Sequence, residues 1–218
     1  LATLIGGAFS AGAANSFNCI YDTDIDKIMG RTKSRPLVTG ELSRREALIF
    51  SYLLTLVSVF WLGLLVNWLA SLISLAALLF YVLIYTMLLK RRTPQNIVWG
   101  GAAGAAPVLI GWAAVTNTLS AEAWLLVLII FVWTPPHFWA LALYRRDDYV
   151  QSGLPMLPVT HGERFTLLNI LLYTLILIAA TLLPYIYGMS GMVYLISAII
   201  LGLLFLAYVI ALFISYSD

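Results

Sequence analysis

Charge is what this sequence has least of. Only 10% of its 218 residues are Asp, Glu, Lys or Arg, whereas a water-soluble domain carries about 25%. So few charges cannot cover a water-facing surface. With 62% hydrophobic residues, the soluble and the disordered classes are both excluded. Cysteine is nearly absent: the single Cys19 excludes an internal disulfide and any multi-cysteine metal site. Net charge is only +2, so overall charge argues for no nucleic-acid partner. The sequence also lacks an initiating Met. It opens at Leu1, already inside an apolar stretch, and reads as a fragment of a longer chain.

What is present is hydrophobic length. Mean hydropathy is +0.96. Apolar segments run over roughly 1–21, 45–67, 69–89, 94–116, 121–144, 164–187 and 191–213. Each matches the ~20 residues that cross a bilayer core as a helix. Helices satisfy their own backbone polar groups in lipid. The expected fold is therefore an all-α polytopic membrane bundle of seven spans, forming a single domain over 1–218. Boundary signals agree. Ser43-Arg44-Arg45-Glu46 and Thr160-His161-Gly162-Glu163 have the form of a capping box. Thr93-Pro94 suits a helix start, and Asn67-Trp68 and Gly188 mark reversals.

The few charges are placed unevenly. All twelve Lys and Arg fall in or beside the first–second, third–fourth and fifth–sixth connections. With seven spans these connections share one side of the membrane, which the positive-inside rule makes the cytoplasm. Nine of the ten acidic residues, counting Asp218, lie on that side too, with Glu122 the exception.

Two acidic clusters stand out, each beside basic residues. In the first, Asn18, Asp22 and Asp26 recur every four residues and share a helix face. One carbonyl oxygen and two carboxylates suit Mg²⁺ held jointly with a substrate phosphate, and the basic residues that follow could hold phosphate oxygens. The alternative is an ordinary interfacial helix end whose charges meet water and headgroups. The second cluster is Asp147-Asp148 behind Arg145-Arg146. His137 sits in Trp133-Thr134-Pro135-Pro136-His137-Phe138-Trp139, where the prolines should kink the helix. A histidine at that depth is either an axial heme contact, a proton acceptor or a cation stabiliser, or a residue hydrogen-bonded to a neighbouring helix. Lys90-Arg91-Arg92 reads by itself as an orientation signal. Gly100 to Ala106, all small residues, suits close helix packing or room for an apolar ligand.

Together these stretches resemble the UbiA-type intramembrane prenyltransferases. Asn18-Cys19-Ile20-Tyr21-Asp22-Thr23-Asp24-Ile25-Asp26 matches their NxxxDxxxD motif. Asp24 through Leu37, Leu89 through Val98, Pro136-His137-Phe138-Trp139-Ala140-Leu141, and Arg146 through Pro158 are similar to the heme branch, the protoheme IX farnesyltransferases (heme O synthases). The resemblance implies nine family helices, of which this chain spans the second to the eighth. It implies transfer of farnesyl from farnesyl diphosphate to a vinyl group of heme b, giving heme O. Asp22, Asp26, Asp147 and Asp148 would then be Mg²⁺ ligands, with Asn18 beside them. Lys33, Arg35 and Arg146 would hold diphosphate, and His137 and Asn96 would contact heme. The adjacent Asp147-Asp148 departs from the wider superfamily, where the second acidic motif is spaced along a helix. The implied partners are the lipid bilayer and either heme A synthase or a terminal oxidase in assembly. The implied location is a bacterial inner membrane with cytoplasmic site loops. The rival readings are an aromatic, quinone-precursor prenyltransferase of the same superfamily and a membrane transporter. A transporter needs polar residues along a full path, and the second, third, sixth and seventh segments offer almost none.

Overall fold

A computed structural model describes residues 1–216; Asp218, counted above with the charged end, lies outside the described residues. The described residues form helices and connections only. Long helices are α1 (Ala2–Tyr21), α4 (Arg44–Leu65), α5 (Trp68–Leu79), α6 (Asn96–Thr116), α7 (Ala121–Tyr144), α10 (Glu163–Ile186) and α11 (Met192–Ser215). Short helices α2 (Thr23–Ile28), α3 (Pro36–Thr39), α8 (Arg146–Ser152) and α9 (Leu157–Thr160) lie in the polar connections. Helix α5 passes directly into a π-helical segment, Phe80–Leu89.

Six of these helical spans are long and apolar enough to cross a membrane. They are Arg44–Leu65, Trp68–Leu89 (α5 with its π segment), Asn96–Thr116, Ala121–Tyr144, Glu163–Ile186 and Met192–Ser215. The expected first span, α1, is a 20-residue helix but is not among them. Its small and polar residues explain why. Gly6, Ser10, Ala13 and Asn18 are buried against neighbours instead of facing lipid. Ser58 donates to the Gly6 carbonyl at 2.8 Å, Trp61 Nε1 donates to the Ala2 carbonyl at 3.0 Å, and Ser51 bonds Ser16 at 2.7 Å. Helix α1 is thus stitched to α4 by polar contacts over small residues, as intramembrane packing favours.

Sequence neighbours pack as spatial neighbours from α4 to α11, and α1 turns back onto α5, the π segment and α6. Most large apolar side chains on α4 and α11 are exposed, as on a lipid-facing surface. One core cluster, with Ile25, Met29, Ile97, Trp139, Leu157 and Ile170, binds the short helices to the long ones. Ion pairs and this cluster bring the three polar connections together at one end of the bundle.

The helix starts show which local signals hold. Ser43 and Glu46 form the reciprocal capping box, and Asn67 Oδ1 accepts from Ala70 N at 2.8 Å. The box expected at Thr160–Glu163 does not form. Thr160 instead ends α9, bonds His161 Nδ1 at 2.8 Å, and leaves Gly162 to start α10 at φ +81°. Glycine adopts that left-handed value without a Cβ penalty. Helix α6 starts at Asn96, past the expected Thr93-Pro94, because Thr93 Oγ1 accepts from Gln95 N at 3.2 Å in a local turn.

Candidate active site

The i, i+4 ladder predicted for the first acidic motif is present despite a break. Asp22 (φ −91°, ψ 9°) separates α1 from α2, yet Asp22 N donates to Asn18 O at 2.9 Å and Asp26 N to Asp22 O at 2.8 Å. The three side chains therefore stay stacked on one face. All are buried, with Asp22 at 1% and Asp26 at 4% exposure.

Buried carboxylates need partners, and the partners are basic. Asp22 Oδ2 accepts from Asn18 Nδ2 at 2.8 Å and from Lys90 Nζ. Asp22 Oδ1 lies 3.3 Å from Arg91 Nη2. Asp26 Oδ2 accepts from Arg35 Nη1 at 2.6 Å. Burial is the largest influence on Arg35 and acts against its charge, but the Asp26 hydrogen bond and the surrounding negative charge together outweigh it, so its pKa is raised. Asp24, which the motif leaves aside, faces out (65% side-chain exposure) and takes Arg91 in a bidentate pair, 2.7 Å on each arm. That pair holds the Asp24 carboxyl below the usual carboxylate range and pushes the Arg91 guanidinium further up. Arg91 also donates to the Tyr21 carbonyl at 3.0 Å and lies over the Tyr21 ring, 4.8 Å from its centroid.

Lys90 and Arg91 are thus the principal site residues that the sequence reading treated as orientation signal. Nothing local marks them, since 68 residues separate Lys90 from Asp22. Thr86 was also missed: it is fully buried and accepts from Asn18 Nδ2 at 3.3 Å.

A cavity of about 880 Å³ lies between α1, α5 with its π segment, α6 and α7, and its lining comes nearest the charged cluster in sequence at Asn15 and Tyr85. Small residues line two sides, with Gly7, Ala11 and Ala14 on α1 and Gly104, Pro107 and Gly111 on α6. Tyr81, Tyr85, Trp133 and Phe138 supply aromatic walls. An added Cβ at Gly7, Gly104 or Gly111 would meet no atom within 4 Å, so their missing side chains are open volume. From Ile97 to Gly111 the wall extends about 21 Å at 1.5 Å per residue. The π segment joins cavity to charge. Tyr85 forms part of the wall, and the next residue, Thr86, accepts from Asn18. Single-turn π-bulges are frequent at functional sites, and this segment is longer than one turn, at ten residues.

The remaining expected residues lie elsewhere. Asp147 and Asp148 start α8, Asp147 exposed and Asp148 3.9 Å from Arg145. Helix α8 reaches the first motif through Tyr149, packed on the cluster containing Ile25 and Met29. Burial pushes the Tyr149 phenol up. Arg146 Nε donates to the Pro158 carbonyl at 3.4 Å and lies 3.7 Å from Glu163. Lys33 is exposed, with no ion pair among the described residues. Asn96 is fully buried and donates to the Lys90 carbonyl at 3.2 Å, while its Oδ1 has no partner among the described residues. His137 does not line the large cavity. It faces outward, stacked on Trp133 (4.3 Å between centroids, 16° between planes), beside a groove of about 150 Å³ with Tyr208 and Val209. The heme contact expected of His137 is therefore not offered from inside the cavity.

The donor set bears on metal binding. Among the described residues no three His, Cys, Asp or Glu side chains form a metal cage. Two carboxylates and one amide oxygen on a single face fit a hard divalent cation that completes its shell with phosphate oxygens and water. They do not fit an ion held by protein alone.

The UbiA prenyltransferase family model matches residues 1–218. The protoheme IX farnesyltransferase of Polynucleobacter necessarius subsp. necessarius is 68% identical over 215 residues, covering 99% of this chain and 72% of that protein. A solved structure of a UbiA homolog from Aeropyrum pernix K1 superposes with a TM-score of 0.78 at 23% identity, covering 99% of this chain and 82% of that one. One from Archaeoglobus fulgidus, bound to GPP and Mg²⁺, gives 0.68 at 20% identity, covering 98% and 75%.

Proposed function

The chain belongs to the UbiA prenyltransferase family, and from that premise we propose that it transfers the farnesyl group of farnesyl diphosphate to a vinyl group of heme b, producing heme O. The 68% identity to a protoheme IX farnesyltransferase supports the acceptor and the donor. The observation that carries the mechanism is the junction of two environments: buried Asp22 is joined through Asn18 and Thr86 to Tyr85, which lines an apolar cavity of about 880 Å³.

Asn18, Asp22 and Asp26 would hold Mg²⁺, and Asp147 and Asp148 a second ion or its waters. Bound Mg²⁺ supplies charge neutralisation for the diphosphate. Arg35, Lys90 and Arg91, already on the motif carboxylates, would hold the diphosphate, and Lys33 and Arg146 would have to swing in from the adjoining connections to add donors. Cleavage of the allylic C–O bond develops negative charge on the leaving group, and these side chains stabilise it where it forms. The farnesyl chain lies along the small-residue walls of α1 and α6. Tyr81, Tyr85, Trp133 and Phe138 present π faces to the allylic cation and keep water away until the vinyl carbons attack. A hydroxyl then enters from water, so water is excluded early and admitted late. Heme contacts fall to the cavity-facing aromatics, with His137 behind Trp133. Asn96 acts by fixing the Lys90 backbone.

In this reading α1 is a seventh membrane crossing, and the end carrying all twelve Lys and Arg faces the cytoplasm of a bacterial inner membrane. Heme O would pass to heme A synthase or to a terminal oxidase in assembly. The test is mass spectrometry of extracted hemes from cells expressing the full-length protein. Heme O appearing with the wild type and not with Asp22→Ala supports the reading. A farnesylated quinone precursor in its place would transfer the protein to the aromatic-acceptor class.

A further inference from the structure

Both oxygens of Asp22 are already engaged by cations of the protein itself. Lys90 Nζ bonds Oδ2, the same oxygen that Asn18 holds, and Arg91 Nη2 lies 3.3 Å from Oδ1. Asp22 is 1% exposed, and a buried carboxylate without a partner is strongly destabilising. The pairing is what lets this charge stay buried.

It also sets a barrier to a metal ion arriving alone. A divalent cation approaching Asp22 Oδ2 meets the Lys90 ammonium, and ejecting Lys90 would leave that charge unpaired. A diphosphate changes the balance, because it offers both basic side chains more negative charge than one carboxylate.

The two residues are built for different parts in such an exchange. Arg91 is anchored by the Asp24 pair, the Tyr21 carbonyl and the Tyr21 ring. Its Nε is buried with no partner among the described residues, a spare donor in an otherwise saturated cluster. The Lys90 backbone is fixed at both ends: its N–H donates to Tyr85 O at 2.8 Å and its carbonyl accepts from Asn96 at 3.2 Å. Only the flexible side chain is left to move.

We propose that Lys90, steadied by Arg91, is a resident counter-ion that locks Asp22 and is drawn off by diphosphate, so that cation and diphosphate bind together and not in turn. The inference rests on reading Asp22 and Asp26 as the metal-and-diphosphate site. Asn96 then acquires a positioning role, holding the backbone on which the lysine swings.

The test measures Mn²⁺ binding by electron paramagnetic resonance to the full-length protein in detergent micelles, with and without inorganic pyrophosphate. The expected result is weak binding of Mn²⁺ alone, tightened about tenfold or more by pyrophosphate, within the usual range of coupling between two ligands. Lys90→Met, close in shape and uncharged, should tighten binding of Mn²⁺ alone and reduce the enhancement. Equal Mn²⁺ affinity with and without pyrophosphate overturns the lock and leaves the site assignment standing. No Mn²⁺ binding in either arm overturns the site assignment, and the lock with it. The wild-type arms decide the matter even if Lys90→Met fails to fold.

Discussion

Asn18 and Thr86 meet across 68 residues of sequence: Asn18 Nδ2 donates to Thr86 Oγ1 at 3.3 Å while also holding Asp22 Oδ2 at 2.8 Å. This contact ties the acidic motif to the π segment whose Tyr81 and Tyr85 wall the cavity. Thr86→Val keeps the shape and removes the hydroxyl. A lost buried hydrogen bond costs about 1 kcal/mol, so the protein should stay folded with a modestly lower denaturation midpoint in detergent. Farnesyl transfer should fall more than stability does, because Asp22 loses its fixed neighbour. Unchanged turnover would show that the π segment does not position the motif.

Cavity volume should set donor size. Gly111 faces open space eleven residues along α6 from Gly100, which lines the cavity near the charged start of the helix. Gly111→Leu fills that space, and leucine favours helix over glycine by nearly 1 kcal/mol, so folding should not suffer. Farnesyl diphosphate turnover should drop by on the order of a hundredfold, the scale expected for a displaced reacting group, with geranyl diphosphate less affected. Competition between the two donors, read by product mass, checks it. Equal loss for both donors would place the chain elsewhere.

Neighbouring glycines of α1 should separate stability from function. An added Cβ at Gly6 would lie 2.5 Å from Leu62 Cδ2, whereas at Gly7 it meets nothing within 4 Å. Overpacking costs about 1–3 kcal/mol. Gly6→Ala should therefore lower the unfolding midpoint and Gly7→Ala should not, as measured by thermal unfolding in micelles.

The Asp24–Arg91 tether has a defined pH window. The Asp24 carboxyl is held below its ordinary value, chiefly by the Arg91 hydrogen bond. A depressed carboxylate stabilises the fold above its unfolded pKa and loses that contribution as pH falls through the folded value. Wild type and Asp24→Asn should keep a constant difference in stability from pH 8 to about pH 5, by the ordinary carboxylate range, and converge only in stronger acid. Convergence near neutral pH would contradict the pairing.

Some of this was legible in the sequence, for physical reasons that differ by residue. The Asn18–Asp22–Asp26 stack was readable because i, i+4 geometry is local and survives the break at Asp22. The Ser43 box and the Asn67 cap were readable for the same reason. The Lys90–Asp22 pair was not, because it depends on how α1 turns back onto the α5–α6 end. The π segment was not, because its i→i+5 ladder changes neither hydropathy nor composition. The direction of His137 was not, because α7 is apolar around its whole circumference and gives no stripe to orient it. Gly162 displaced the expected Thr160 cap because a left-handed glycine can start α10 where the chain turns out of α9.

That buried Asp22 handles the diphosphate of a farnesyl donor bound for heme is the step on which the proposed function turns. Its most direct test is the heme content, by mass spectrometry, of cells making the full-length protein with Asp22 or with Asp22→Ala at matched membrane levels. Heme O is expected with the former and heme b alone with the latter. Heme O at near wild-type abundance from Asp22→Ala would contradict it.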